Sequence, residues 1–202
     1  MTPTEITVAE KSKSRKSPPA AWLFFQRWMA NPLAIGSITP SSAALRKEIR
    51  KNLTIASDEI VAEFGGGTGA ITKALLEAGI PGERIYAFEI DKELANFLHG
   101  SFPDVNVING DCRGIADVLG PDRVGKVGAV VIGIPMVTLP LNIQREIVEA
   151  SFSVMPEGRP FLLYTYMIHS PLNQQALGLK GKRVGFTWMN VPPASVWAYW
   201  KA

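Results

Sequence analysis

The sequence predicts an α/β fold in which crossover helices connect the strands of a mostly parallel sheet. From residue 59 onward, short apolar runs alternate with helical stretches five times, which is the pattern of repeated strand–helix–strand units. A glycine-rich turn at residues 65–69 follows the first of these runs. The last two strand-like runs are separated by Pro192-Pro193-Ala194. This connection is too short for a crossover helix, so these two strands are expected to pair antiparallel.

The predicted elements follow one another along the chain. Residues 1–19 are rich in Ser and Lys and are expected to form a disordered basic arm. Two helices precede the sheet, one over 22–31 and one from an N-cap at Ser41 or Ser42 to residue 52. The predicted strands are 60–64, 84–90, 105–109, 127–134, 161–167, 183–191 and 194–201. The predicted helices between the first five strands are 71–79, 92–100, 112–120 and 142–155.

The distribution of charge indicates an anionic partner. The net charge of +3 conceals a partition, because residues 11–47 carry seven bases and no acid, and residues 158–202 carry five bases and no acid. The segment between them carries sixteen acids and nine bases. Basic ends favour nucleic acid or an anionic membrane surface, although a solvated tail would have the same composition.

Composition disfavours several classes of protein. At 202 residues and 47% hydrophobic, the chain is large enough to bury one core. Its single cysteine, Cys112, excludes an intramolecular disulfide and a Cys-rich zinc site, and no metal is expected. The uncharged runs at 28–45 and 127–144 are interrupted by proline and glycine, and Gln26 and Arg27 break the apolar part of any export signal. A cytoplasmic location is therefore expected.

The glycine-rich turn predicts a nucleotide cofactor site at residues Gly65, Gly67, Thr68 and Gly69. Glycines between a strand and a helix let the backbone turn tightly and approach a ligand closely. The turn alone does not choose between NAD and S-adenosylmethionine. Glu63 favours S-adenosylmethionine, because its carboxylate would attract that cofactor's ammonium and sulfonium groups but would repel a pyrophosphate.

Further cofactor contacts are expected where the next strands end. Glu89 lies twenty residues after Gly69, where an acid can accept hydrogen bonds from ribose hydroxyls. Asp111 ends the third strand and can accept a hydrogen bond from an adenine amino group. The neighbouring positions expected to line the site are Ile90, Cys112, Ile134 and Pro135.

These residues resemble class I S-adenosylmethionine-dependent methyltransferases, and within them the soluble-type bacterial phospholipid N-methyltransferases. The resemblance extends over roughly residues 22–200. Its N-terminal part consists of Trp28, Pro32, Gly36 and Pro40-Ser41-Ser42. Its central part consists of Phe102-Pro103, Val105-Asn106-Val107 and Asn109-Gly110-Asp111, and its C-terminal part of residues 190–194, Val196-Trp197 and Tyr199. The resemblance implies a Rossmann-like fold with a mostly parallel seven-stranded sheet that ends in an antiparallel hairpin, preceded by N-terminal amphipathic helices.

The resemblance also implies methyl transfer from S-adenosylmethionine to phosphatidylethanolamine, successively through the monomethyl and dimethyl forms to phosphatidylcholine. S-adenosylhomocysteine would be the other product. An ornithine-lipid substrate is an alternative. A ribosomal RNA adenine dimethyltransferase is a further alternative, but Gly133-Ile134-Pro135-Met136 lacks the polar group and the aromatic ring that those enzymes place after strand four. No nucleic-acid partner is therefore expected.

The methylation of an amine requires a proton acceptor, because the headgroup arrives protonated. The candidates are Tyr164, Tyr166 and His169, at and beyond the end of the fifth strand. Candidate partners for the lipid phosphate are Arg159, Lys180, Lys182 and Arg183.

The helix at 22–31 is expected to dock on an anionic membrane. At about 100° per residue its aromatic side chains and Met29 fall on one arc, with Leu23 the exception, and a core helix would share this pattern. Because a lipid substrate lies in a membrane, we expect this helix to lie in the interface, behind a basic tail. The membrane-binding residues are then Trp22, Phe25, Trp28, Met29, Lys13, Arg15 and Lys16. The predicted organisation is an arm at 1–19, docking helices at 20–52 and a methyltransferase domain at 53–202, peripherally bound to the cytoplasmic face of the inner membrane.

Overall fold

The computed structural model describes residues 40–189 and 193–202. Its strands are β1 (Ile60–Phe64), β2 (Ile85–Glu89), β3 (Asn106–Asn109), β4 (Val127–Ile132), β5 (Phe161–Thr165), β6 (Leu179–Thr187) and β7 (Ala194–Lys201). Its α-helices are α1 (Pro40–Lys51), α2 (Ala70–Glu77), α3 (Lys92–Ser101), α4 (Ile115–Leu119), α5 (Leu141–Val154) and α6 (Gln174–Leu177). Short 3-10 turns occupy Gly82–Arg84, Cys112–Gly114 and Met136–Thr138.

The seven strands form one sheet in the order β3-β2-β1-β4-β5-β7-β6. Strands β1 to β5 pair parallel with their neighbours, and β7 pairs antiparallel with both β5 and β6. This arrangement confirms the predicted mostly parallel sheet with a terminal antiparallel pair. Because β6 runs in the same direction as β5, the carboxyl ends of β1 to β6 all lie at one edge of the sheet. We call this the carboxyl edge.

Both faces of the sheet are buried. On one face Phe64 and Phe88 meet edge to face, with their ring centroids 5.8 Å apart, within a cluster that includes α5. On the other face Leu45 and Ile49 of α1 pack with β1 and α2. Burial on both sides explains why β1, β2 and β4 are almost continuously apolar, since an alternating strand would place polar groups in the core.

The N-terminal predictions are only partly covered by the described residues. The basic arm, the helix at 22–31 and all the predicted membrane-binding residues lie outside them. Helix α1 is present, but it begins at Pro40, so Ser41 and Ser42 lie in its first turn and the predicted N-cap at one of them is wrong. It buries Leu45 and Ile49 in the core, so these side chains do not face a membrane. The proposed domain boundaries stay predictions. Among the described helices, none is both long and apolar enough to cross a bilayer.

The structure differs from prediction most in its last third. Strand β6 begins at Leu179 and ends at Thr187, although the apolar pattern placed it at 183–191. Its first half contains Lys180, Lys182 and Arg183 and carries little apolar signal. It is a strand because it pairs with β7 along its whole length. Helix α6 was also not predicted, because its four residues are too few to show a helical period.

Candidate functional site

The glycine-rich turn lies at the carboxyl edge, directly after β1. The backbone amides of Gly65 and Gly66 both donate to the carbonyl of Phe88, at 2.9 and 3.0 Å. Gly65, Gly67 and Gly69 all have positive φ, of 84°, 54° and 82°, a region that residues with a Cβ rarely adopt. The turn is therefore bent sharply and held against the end of β2.

Glu63 lies beneath this turn and is fully buried. The hydroxyl of Thr72, in α2, donates to Glu63 Oε2 at 2.6 Å, whereas Oε1 has no hydrogen-bond partner. Burial raises the pKa of Glu63 to about 8, and the nearby Glu89 contributes in the same direction. A buried carboxylate oxygen without a donor is costly. A cationic donor bound above the turn would satisfy it.

Glu89 connects the turn to the segment that follows β2. Its Oε2 accepts from the amide of Gly67 and its Oε1 from the amide of Asp91, both at 2.9 Å. Each oxygen retains a second lone pair, so hydrogen bonds from ribose hydroxyls remain compatible with this arrangement. The next residue, Ile90, is 74% exposed and offers an apolar surface at the same edge.

Asp111 follows β3 and is engaged by a neighbouring arginine. Arg113 donates to it from both its backbone amide and its guanidinium, and the guanidinium also contacts Glu146. These hydrogen bonds lower the pKa of Asp111 below its usual range. Cys112 is buried, which raises the pKa of its thiol to about 12. The predicted adenine contact of Asp111 would have to share the carboxylate with Arg113.

The segment after β4 closes against the glycine turn. The amide of Gly133 donates to the carbonyl of Phe64 at 2.7 Å. A Cβ at Gly65 would lie 2.9 Å from Ile134 Cγ1, and a Cβ at Gly133 would lie 2.8 Å from the Gly65 oxygen. The two chain segments thus touch at their backbones. This contact places Ile134 beside the turn, with Pro135 next to it in sequence.

Tyr164 forms the side of the site next to β5. Its Cε1 would be 3.2 Å from a Cβ at Gly133, and its ring packs edge to face on that of Tyr166 at 6.2 Å. Burial, followed by the proximity of Tyr166 and Glu63, raises the pKa of Tyr164. Tyr164 is therefore a neutral phenol near neutrality and not an ionised proton acceptor. Tyr166 and His169 are exposed in the segment that follows β5.

The structure corrects one of the phosphate candidates. Arg159 precedes β5 and donates to Glu59 at 2.9 Å and to the carbonyl of Thr54 at 2.6 Å. It therefore lies at the opposite edge of the sheet from the glycine turn. Lys180 lies near the start of β6, and Lys182 and the adjacent Arg183, at the middle of the strand, lie closer to the carboxyl edge. Within 40–189 and 193–202, no group of three acids, histidines or cysteines is arranged to hold a metal ion.

Several supporting residues were not anticipated from the sequence. Thr72 holds Glu63, and Gly133 permits the close contact with Gly65. Asn109 donates to the carbonyls of Glu89 and Ile90, which fastens β3 to the end of β2. Of these residues, Gly133 could have been predicted from the sequence, because a glycine directly after a strand indicates a close backbone contact. Nothing in periodicity marks Thr72, because its role depends on where α2 packs.

Two relatives of known description are similar to this chain, although no protein-family model matches it. An ornithine lipid N-methyltransferase of Singulisphaera acidiphila is 28% identical over 149 residues, which cover 72% of this chain and 78% of that protein. A probable ribosomal RNA small subunit methyltransferase A of Natronomonas pharaonis is 34% identical over 114 residues, or 54% of this chain. The matched part is only 35% of that second protein.

Solved structures with a similar fold include S-adenosylmethionine-dependent methyltransferases. A TehB-like SAM-dependent methyltransferase from Corynebacterium glutamicum superposes with a TM-score of 0.58 at 14% identity, over 92% of this chain and 100% of that one. The magnesium protoporphyrin IX methyltransferase of Synechocystis, solved with bound SAM, gives 0.53 at 14% identity, over 92% and 93%. The likeness shows the fold, which is the Rossmann-like α/β fold of the class I methyltransferases.

Proposed function

We propose that this protein binds S-adenosylmethionine at the glycine turn and transfers its methyl group to the amine of a membrane-lipid headgroup. The observation that carries the cofactor assignment is the buried Glu63 Oε1, which has no donor within the described residues. An ammonium group would supply that donor and compensate the carboxylate charge. A pyrophosphate would do neither, so the residues present fit S-adenosylmethionine better than NAD.

Different residues around the turn would bind different parts of the cofactor. Glu63 would face its ammonium end, Glu89 its ribose, and Asp111 with the backbone at Cys112 its adenine. The exposed side chain of Ile90 and the side chain of Ile134 would pack against its apolar parts. Gly65, Gly67, Thr68 and Gly69 would let the backbone approach it without side-chain obstruction.

The chemistry asks little of the protein beyond positioning. S-adenosylmethionine supplies an activated methyl group that a neutral amine can accept directly. The phenol oxygen of Tyr164 can accept a hydrogen bond from the amine and orient its lone pair. His169, which is open to water, would take the proton that the amine gives up, and the exposed phenol of Tyr166 could only relay it.

The substrate class rests on the relatives. The ornithine lipid N-methyltransferase matches over most of its own length, whereas the RNA methyltransferase matches over about a third. The segment after β4 has no aromatic side chain between Gly133 and Pro140, and its Met136 is buried, so this segment offers no ring to stack on a flipped base. Phosphatidylethanolamine and an ornithine lipid are both aminolipids, and we propose one of them as the substrate of a peripheral enzyme on the cytoplasmic face of the inner membrane.

A transfer assay tests this proposal. The purified protein is incubated with S-adenosylmethionine carrying a labelled methyl group and with vesicles of phosphatidylethanolamine, vesicles containing ornithine lipid, or vesicles of phosphatidylglycerol alone. We expect label in one aminolipid and none in phosphatidylglycerol, with the number of methyl groups read from the product mass. Label in added ribosomal RNA, with none in either lipid, would contradict the proposal.

A matched pair of variants controls the assay. Glu63→Gln removes the ionisable group and should abolish transfer, whereas Glu59→Gln, which lies just before β1 at the opposite edge, should retain it. Calorimetry in buffers of different ionisation enthalpy gives an independent measurement. Because the pKa of Glu63 is about 8 in the free protein, binding a cationic ligand at neutral pH should release up to one proton in the wild type and none in Glu63→Gln. Equal proton release by the wild type and by Glu63→Gln would show that Glu63 does not contact the bound ligand.

A further inference from the structure

Five apolar side chains stand exposed beside the proposed site. We call them the edge patch, and they are Tyr166, Met167, Ile168, Trp188 and Met189. Trp188 is 75% exposed, Met189 70% and Ile168 57%. Large apolar side chains grouped on a surface mark an interaction site far more often than scattered ones do.

The sheet register explains why the two halves of this patch meet. Thr165 of β5 and Phe186 of β6 both pair with Ser195 of β7, so the ends of β5 and β6 lie on either side of the same residue. The hydroxyl of Ser195 donates to the carbonyl of Met167 at 2.9 Å. This hydrogen bond fixes the segment after β5 across the end of β7. The edge patch is therefore a single surface rather than two separate loops.

A cation is built into this surface. The guanidinium of Arg183 lies 5.3 Å from the centroid of the Phe186 ring and donates to the carbonyl of Ile168 at 3.3 Å. Phe186 in turn packs edge to face on Trp188, with centroids 4.7 Å apart. No carboxylate of the described residues forms an ion pair with Arg183, and Glu48, which approaches β6 at Gly185, is paired with Lys51.

We propose that the edge patch is a membrane-docking surface whose occupant is the headgroup region of an anionic phospholipid bilayer. This inference rests on the proposed function, because it supplies the route by which a lipid headgroup reaches the site. Tyr166 belongs to the patch and packs on Tyr164, which in turn lies against Gly133 of the site. A lipid held at the patch would therefore need to extend only its headgroup to reach the glycine turn.

Charge selects the bilayer over the other possible occupants. Residues 158–202 contain the whole edge patch and no acid, and the guanidinium of Arg183, one of their five bases, contacts the patch at the carbonyl of Ile168. Residues 11–39 carry five bases and no acid, so that segment offers no carboxylate to pair with Arg183. A second copy that met the patch with its own patch would likewise bring an Arg183 and no carboxylate. An anionic bilayer offers opposite charge at its surface and an apolar layer beneath it, where tryptophan and methionine side chains are stabilised.

The first test is a vesicle flotation experiment with the full chain. In the variant Trp188→Glu/Met189→Glu, the affinity for phosphatidylcholine vesicles that contain phosphatidylglycerol should fall at least about tenfold, because two exposed apolar anchors are lost. The matched control is Val118→Glu/Val124→Glu, which replaces two exposed apolar residues in the connection between β3 and β4. This control should float like the wild type. Unchanged flotation of the patch variant would overturn the proposal.

A second measurement reports whether the patch is free before it meets a membrane. The variant Met189→Cys can carry a polarity-sensitive fluorophore, because the native thiol of Cys112 is buried with its pKa raised to about 12 and reacts poorly. We expect the emission of a water-exposed probe without vesicles and a blue shift with them. A blue-shifted probe without vesicles would show that residues 1–39 or a second copy covers the patch, and would overturn the proposal.

The outcome separates docking from catalysis. The patch variant should retain S-adenosylmethionine binding, and it should retain methylation of a short-chain aminolipid that is dispersed as single molecules in water. If no lipid is methylated in any form but flotation still depends on the patch, the proposed function is wrong and the docking surface stands. If lipids are methylated and flotation ignores the patch, the docking surface is wrong and the function stands.

Discussion

At the scale of single residues, Glu63 is a buried carboxyl group of the site that has too few hydrogen-bond donors around it. Its carboxyl is fully buried, has one hydrogen bond from Thr72, and faces Glu89 nearby. Such a group is stable in the free protein only when it is protonated, since water cannot solvate its charge. The raised pKa therefore couples the proposed cofactor site to the stability of the fold.

The pH dependence of stability tests this coupling. The pKa of Glu63 is about 8 in the folded protein, against an ordinary value of 4.5. Between these values the unfolded chain has lost the proton while the folded one keeps it. The free energy of unfolding should therefore fall as pH rises through this window, by up to about 1.4 kcal/mol per pH unit from this group. The free energy of unfolding, measured with urea at several pH values across the window, should fall more with rising pH in the wild type than in Glu63→Gln. The same dependence on pH in both proteins would contradict the assignment.

Glu89 makes a different prediction, because both its oxygens are used by backbone amides. Glutamine has one acceptor oxygen, so Glu89→Gln must leave the amide of Gly67 or that of Asp91 without a partner. We expect the affinity for S-adenosylmethionine to fall by about tenfold or more, in line with a loss of roughly 1–3 kcal/mol. Glu93→Gln, an exposed acid in the first turn of α3, is the control and should bind within a few-fold of the wild type. Equal binding by both variants would show that Glu89 does not hold the turn.

At the scale of elements, two contributions of the glycine turn to stability can be measured separately. One is its packing against the end of α3, and the other is its left-handed backbone conformation. Gly69 and Gly79 have nearly the same φ, 82° and 83°. A Cβ at Gly69 would overlap the ring of Phe102, whereas a Cβ at Gly79 meets nothing within 4 Å. Both alanine variants should lose about 1–2 kcal/mol from the left-handed backbone. Gly69→Ala should lose about 1–3 kcal/mol more from overpacking, as measured by urea unfolding. Equal losses would mean that Phe102 moves aside without cost.

Most elements of this fold could be predicted because their patterns are local. The bounds of β1 and of helices α1, α3 and α5 agree with the sequence within one or two residues, since apolar periodicity is a property of a few neighbouring residues. The turn residues of the site were found for the same reason. The bounds of strand β6 were wrong by four residues at each end, and the hydrogen bond from Thr72 to Glu63 was not predicted, because both depend on partners that are distant in sequence or set by packing.

At the scale of the whole molecule, the order of the strands also lies beyond local pattern. The short connection before Ala194 predicts that the last two strands pair, but not that β7 inserts between β5 and β6. That insertion turns β6 parallel to β5 and brings Trp188 to the carboxyl edge. The sequence predicted that β6 ends at residue 191, four residues after its observed end, so Trp188 and Met189 were expected to lie inside the strand. Their exposure appears only when the sheet is assembled.

The same assembly determines which basic residues can act on a membrane. Strand β6 carries Lys180 near its start and Arg183 in the edge patch, and three residues of extended chain separate them by about 10 Å. Electrostatic attraction at physiological salt decays over about 8–10 Å, so the two charges should differ in effect although they share a strand. A base close to an anionic surface contributes about 1 kcal/mol, which corresponds to about fivefold in affinity.

We therefore expect Arg183→Gln to weaken binding to anionic vesicles up to about fivefold at about 0.1 M salt, where the Debye length is about 10 Å, and Lys180→Gln to weaken it less. The difference between the two variants should shrink as salt is added, because screening removes the contribution of Arg183. Flotation with vesicles containing phosphatidylglycerol, at increasing salt concentration, measures both effects. Equal losses in the two variants would mean that the protein responds to its net charge alone and is not oriented by the carboxyl edge. A larger loss in Lys180→Gln would place the opposite end of β6 against the membrane.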